Sequence, residues 1–112
     1  MRGTSFIVLL AVLLLGEAGP ARADYPDRPV RVIVPFIAGS APDVVARQAA
    51  QRLTGGLGQQ FVIENKPGAA SNIGTESVAK AEPDGYTILM PVSTNTVNAA
   101  LYRNLKFDFL RD

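Results

Sequence analysis

The sequence contains no cysteine and no histidine. The lack of cysteine excludes a disulfide framework, and the lack of both excludes Ser-His-Asp and Cys-His catalysis and the usual zinc sites. Charge is nearly balanced, with 11 lysines and arginines against 10 aspartates and glutamates in 112 residues. Because no basic stripe is available for a phosphate backbone, nucleic-acid binding is disfavoured. The length fits one small domain or part of a larger one.

The first 23 residues have the pattern of a secretory signal peptide. A positive start, Met1-Arg2, precedes the apolar run 6–15 (FIVLLAVLLL), and residues 21–23 (ARA) form a small-x-small cleavage site. The alternative is an uncleaved membrane anchor, but the run is shorter than the roughly 20 residues of a spanning helix. We therefore expect cleavage after Ala23 and export to a bacterial periplasm.

In the rest of the chain, strand-like segments alternate with helix-like segments. Runs rich in β-branched residues predict strands at 30–36, 60–65 and 86–90. Helices are expected over about 14 residues from Ser40, near 72–81 and around 97–102, with Gly55, Gly56 and Gly58 ending the first. In that helix Ser40 is a candidate N-cap, Asp43 has capping-box spacing, and one apolar stripe is formed by Val45, Ala49, Leu53 and Leu57.

This alternation predicts an α/β fold built on a parallel β-α-β-α-β sheet with right-handed crossovers. Since parallel strands point the same way, the loops 36–43, 66–71 and 91–96 should emerge at one edge, where open α/β sheets bind ligands. These loops carry small and hydroxyl residues, with charge only on Asp43 and Lys66. Exposed backbone and helix N-termini suit an anion such as a carboxylate.

The candidate ligand-binding residues come from these three loops. They are Phe36, Ile37, Ala38, Gly39, Ser40 and Asp43, then Gly68, Ala69, Ala70 and Ser71, and finally Ser93, Thr94 and Asn95. Taken singly, the serines at 40 and 71 are better explained as helix caps and the glycines as turn residues, so the prediction depends on the loops converging. No nucleotide fingerprint is present, and no catalytic residue, metal or cofactor is expected.

Three ordered motifs resemble a known family. The runs 25–36 (YPDRPVRVIVPF), 62–69 (VIENKPGA) with 72–74 (NIG), and 79–90 (AKAEPDGYTILM) are similar to the tripartite tricarboxylate transporter receptors, also called Bug-type solute-binding proteins. The resemblance implies a periplasmic, non-enzymatic, two-lobed protein with a type II periplasmic-binding fold that presents small organic acids to membrane transporter subunits. Ala38 and Ser40 depart from the family's first loop, where proline and a second glycine are common.

Members of that family are considerably longer than this chain. The resemblance therefore implies that residues 24–112 are the N-terminal part of lobe one, with weak or no ligand affinity alone and an exposed sheet edge and apolar face. Two alternatives stay open. One is a truncated product without a function of its own. The other is an exported enzyme of small-acid metabolism using Lys66 or a carboxylate, although Asp43 is explained as a cap and Glu76 by Lys80, while Glu64 has no evident partner.

Overall fold

The computed structural model describes residues 24–112, so the predicted signal peptide lies outside the described residues. Three strands, β1 (Val30–Val34), β2 (Phe61–Asn65) and β3 (Thr87–Leu89), form one sheet in the order β2-β1-β3. Both pairings are parallel, with Val30 opposite Phe61 and Arg31 opposite Thr87. The predicted parallel α/β sheet is confirmed.

Helices follow each strand. Helix α1 (Ala41–Leu57) connects β1 to β2, and a 3-10 turn (Ala69–Ser71) leads into α2 (Asn72–Ala79) before β3. Helix α3 (Ser93–Leu101) follows β3. Because β2 and β3 lie on opposite sides of β1, right-handed crossovers place α1 and α2 on opposite faces of the sheet.

The core is centred on β1, the middle strand. Val30, Ile33 and Val34 are completely buried, as expected for β-branched residues in a parallel strand that is covered on both faces. On the α1 side, Val30 belongs to a buried cluster with Ala50 and Phe61. The sheet therefore has the two-sided packing that holds its loops at fixed positions.

Helix α1 buries a different face from the one that its apolar stripe predicts. Val45, Leu53 and Leu57 are exposed, whereas Ala46 and Ala50 are buried against the strands. Small residues at these two positions let the helix backbone lie close to the sheet. The close packing gained in this way stabilises the fold more than burial of the larger side chains of the neighbouring stripe would.

The helix also ends later than expected. It runs through Gly55 and Gly56, and only Gly58 ends it, with a left-handed φ of 74° and an N–H that donates to the Thr54 carbonyl at 3.1 Å.

Helix α3 begins earlier than the sequence predicts. The expected loop 91–96 is mostly helical, because Ser93 already stands in the first turn. The Asn95 side chain accepts a hydrogen bond from the Val92 N–H at 2.9 Å, which satisfies a donor at the helix start. Ser93, Thr94 and Asn95 therefore form a helix N-terminus rather than a free loop.

The segment before β1 is tied to the start of β3, at the opposite end of the sheet from the candidate loops. The Tyr86 hydroxyl donates to Asp27 at 2.6 Å, and the Tyr25 hydroxyl donates to the Gly85 carbonyl at 2.6 Å. The Arg28 guanidinium lies 3.9 Å from the centre of the Tyr86 ring. Across residues 24–112, no helix has the length and apolar character needed to cross a bilayer.

Candidate functional site

The three loops meet at the carboxyl ends of the strands, and side chains tie them together there. Asn65, the last residue of β2, donates to the Phe36 carbonyl at 3.1 Å and to Asp43 at 2.8 Å. The Ser71 and Thr94 hydroxyls lie 3.3 Å apart and join the second loop to α3. We call the surface formed by residues 36–40, 67–71 and 91–94 the rim. The predicted convergence of the loops is present in the structure.

Asp43 lies beneath the rim and holds the first loop in place through hydrogen bonds. Its carboxylate is buried and accepts hydrogen bonds from the Gly39 N–H at 2.8 Å and from Arg47 Nε at 2.9 Å. The hydrogen bond from Arg47, followed by those from Gly39 and Asn65, lowers the pKa of Asp43 to about 2. The expected capping box is only partly correct, because Asp43 reaches Gly39 rather than Ser40.

Ser40 is the N-cap residue of α1, but its side chain does not cap the helix. Its hydroxyl instead donates to the Ile37 carbonyl at 2.7 Å, which closes the first loop on itself.

The bonds of Asp43 lead to a pH prediction. The pKa of Asp43 falls from 3.8 to about 2 in the folded protein, so its ionised form stabilises the fold at neutral pH. That stabilisation should be lost as the pH falls from about 4 to about 2. In urea unfolding measured across this range, the free energy of unfolding should decline less steeply for Asp43→Asn than for the parent chain. Glu82→Gln, at an exposed site, is the control; an unchanged slope in Asp43→Asn would count against the network.

The second loop has an unusual backbone. Ala69, Ala70 and Ser71 all have positive φ values, of 48°, 53° and 74°. A left-handed conformation costs an L-residue roughly 1–2 kcal/mol, so the surrounding structure must hold it. Asn98 of α3 does so by donating to the Ala70 carbonyl at 2.6 Å and to Asn72 at 3.0 Å. The sequence predicts a turn at Gly68, but it gives no indication that the next three residues have positive φ values.

The third element of the rim is anchored by Asn95. This residue is 2% exposed, and its amide nitrogen donates to the Thr75 hydroxyl at 2.6 Å while its oxygen accepts from Val92. Thr75 in turn donates to the Ser71 carbonyl at 2.8 Å. The chain of bonds fixes α3 against α2, and it leaves Ser93 exposed and Thr94 half-buried at the rim.

Gly74 allows α2 to approach the first two loops. A Cβ atom at this position would lie 2.8 Å from the Lys66 carbonyl oxygen and 2.8 Å from Pro35 Cβ. Real Cβ atoms essentially never make such short contacts. Only glycine therefore lets the start of α2 sit in this position.

The carboxylates considered for catalysis are all engaged in ion pairs. The sequence suggests no partner for Glu64, but in the structure its carboxylate lies 2.7 Å from Arg31 and 3.3 Å from Lys66. Hydrogen bonding to Arg31 is the main cause of its lowered pKa. The expected pair of Glu76 with Lys80 is confirmed, and it lowers the pKa of Glu76. A general base for catalysis near neutral pH needs a raised carboxylate pKa, so these groups do not favour an enzyme.

Comparison with known proteins decides the family. A model of the tripartite tricarboxylate transporter family receptor matches residues 45–112. The chain belongs to this receptor family. A UPF0065 protein of Bordetella pertussis is 46% identical over 101 residues, which cover 88% of this chain and 31% of that protein.

Solved structures agree with this assignment. MatC from Rhodopseudomonas palustris with bound malate matches with a TM-score of 0.67 and 36% identity, over 74% of this chain and 29% of MatC. An R. palustris protein with adipate matches with a TM-score of 0.58 and 45% identity, over 59% of this chain and 22% of that one. The family and these neighbours are solute-binding proteins, which agrees with the expectation that the receptor chain is not an enzyme. The chain spans about a third of the length of the curated relatives that it matches.

Proposed function

We propose that residues 24–112 form the N-terminal part of lobe one of an exported receptor, which captures a small organic acid for the membrane subunits of a tripartite transporter. One observation carries the proposal: three loops meet at the carboxyl edge of a parallel sheet and are held there by the Asn65 bonds and the Ser71–Thr94 pair. This edge is the place where open α/β sheets bind ligands.

The composition of the rim favours a carboxylate ligand. All of its exposed residues are uncharged, and most of them are small, including Ala38, Gly39, Gly68, Ala69 and Ser93. Ile37 is the large apolar exception. Small side chains let a ligand approach backbone N–H groups, and the first turns of the helices add a partial positive charge. The solved neighbours hold malate and adipate, which are organic acids of the proposed class.

The thirteen candidate residues divide into two roles under this proposal. Residues 36–40 and 68–71, with Ser93 and Thr94, would contact the acid through backbone N–H groups and hydroxyls, in part through bridging water. The side chains of Asp43, Ser71 and Asn95 would position these contacts instead, because all three are buried and bonded within the protein. Ser71 would therefore offer the acid only its backbone N–H.

Export is a further part of the proposal. Residues 1–23 would be removed as a signal peptide during transfer to the periplasm. Receptors of this kind close two lobes around a ligand, so one partial lobe should bind its acid weakly.

Two substitutions at Ser93 separate binding by the backbone from binding by the side chain. Ser93 is the first residue of α3, and Val92 before it is extended at φ −129° and ψ 159°, so proline fits the site without disturbing the helix. Ser93→Pro removes an N–H group at the rim, and we expect roughly tenfold weaker binding of malate and adipate, as for the loss of a hydrogen bond to a charged group. Isothermal titration calorimetry measures the change.

Ser93→Ala is the matched control, since it removes the hydroxyl and keeps the N–H. A loss confined to the proline variant supports recognition by the backbone. Equal affinity in the parent chain and both variants would contradict the assignment of this helix start to the site.

A further inference from the structure

Two exposed isoleucines lie at the rim, Ile37 within it and Ile73 beside it. Ile37 of the first loop is 64% exposed, and Ile73 in the first turn of α2 is 53% exposed. The side chain of Ile73 lies against the second loop, because its Cδ1 atom is 2.8 Å from the place where a Cβ on Gly68 would stand. Exposed apolar side chains beside a binding surface are available to cover an apolar part of the ligand.

The cationic side chains that the described residues bring to these loops are already paired. Lys66 lies 3.3 Å from Glu64, and Arg47 lies 2.9 Å from Asp43. The described residues would therefore meet the negative charge of a ligand with backbone N–H groups, and the N–H groups at one helix N-terminus together offer about half a positive charge. The combined positive charge of these N–H groups is enough to balance one carboxylate. It does not balance the charge of a compact ligand that carries three carboxylates.

We propose that this rim selects an acid with one carboxylate end at the loops and an aliphatic body next to it, covered by Ile37 and Ile73. The inference rests on the proposed function and adds the substrate class to it. Each methylene group that the isoleucines bury should tighten binding roughly fourfold. The same two residues give no gain to a hydroxylated or triply charged acid of similar size.

A ligand series tests this selection. The probes are butanoate, hexanoate and propane-1,2,3-tricarboxylate, titrated into the 15N-labelled chain while the rim amide signals are followed. Hexanoate, which has two more methylene groups, should bind roughly 15-fold more tightly than butanoate, and the tricarboxylate should bind most weakly. In the double variant Ile37→Ser with Ile73→Ser, the preference for hexanoate should shrink to within about twofold.

Leu53→Ser is the matched control, because Leu53 is also an exposed apolar residue but lies in the fourth turn of α1, away from the rim. This variant should keep the full preference for hexanoate. Equal affinities for the three acids, or a preference that survives in the double isoleucine variant, would overturn the inference and leave the receptor function standing. If none of the acids moves a rim amide, the proposed function itself fails.

Discussion

Replacing Gly74 by alanine should destabilise the protein by about 3 kcal/mol, because the new methyl group meets backbone atoms. The Lys66 carbonyl oxygen and Pro35 Cα would lie 2.8 and 3.0 Å from it, and neither can turn away as a flexible side chain could. Relief requires α2 to move outward, which pulls the second loop away from the first. Urea unfolding followed by circular dichroism measures the loss of stability.

Gly56→Ala is the matched control for this prediction. Gly56 also lies within a helix, α1, but a Cβ there meets nothing within 4 Å. Higher helix propensity should make that variant more stable by about 0.5–1 kcal/mol. A similar change in stability for both variants would show that α2 does not press against the loops as described.

Asn95→Leu should destabilise the protein by about 3 kcal/mol, because two bonded groups lose their partner at once. The Val92 N–H would have no acceptor at the start of α3, and the Thr75 hydroxyl would lose the donor from Asn95. The start of α3 should then fray. Amide hydrogen exchange of residues 92–96 should quicken in the variant, in addition to the fall in stability in urea.

Asn104→Leu provides the comparison for Asn95, since Asn104 is exposed and lies beyond the end of α3. It should change the free energy of unfolding by less than about 0.5 kcal/mol. Equal effects of the two substitutions, or unchanged exchange in Asn95→Leu, would contradict the anchoring role of Asn95.

The sequence predicts the sheet well because the strands carry a local signal. Residues 30–34 are almost continuously apolar and β-branched, which is typical of a parallel strand covered on both faces. Parallel order then follows from the alternation with helices, and the meeting of the loops follows from parallel order. This part of the structure needs no knowledge of distant contacts.

The sequence does not predict the side chains that hold the rim together. Asn65, Thr75 and Asn98 act through partners 20 to 29 positions away, and such pairs leave no local pattern. The prediction of the buried face of α1 is wrong for a related reason. Ala46 and Ala50 are buried because they let the helix pack closely on the sheet, and this packing depends on the strand beneath them. A signal for the α3 anchor is present only as two asparagines, Asn95 and Asn98, spaced three apart on a helix of small residues.

The most direct test of the rim is a map of amide shifts. Titration of the 15N-labelled chain with adipate should move the amide signals of residues 36–40, 68–71 and 93–94 together, with one common dissociation constant. A different site is available for comparison, a cavity of ≈ 160 Å³ lined by Val78, Leu89, Phe107 and Phe109 among others. Shifts centred on that cavity, or spread evenly over the chain, would contradict ligand binding by the three loops at the carboxyl edge of the sheet.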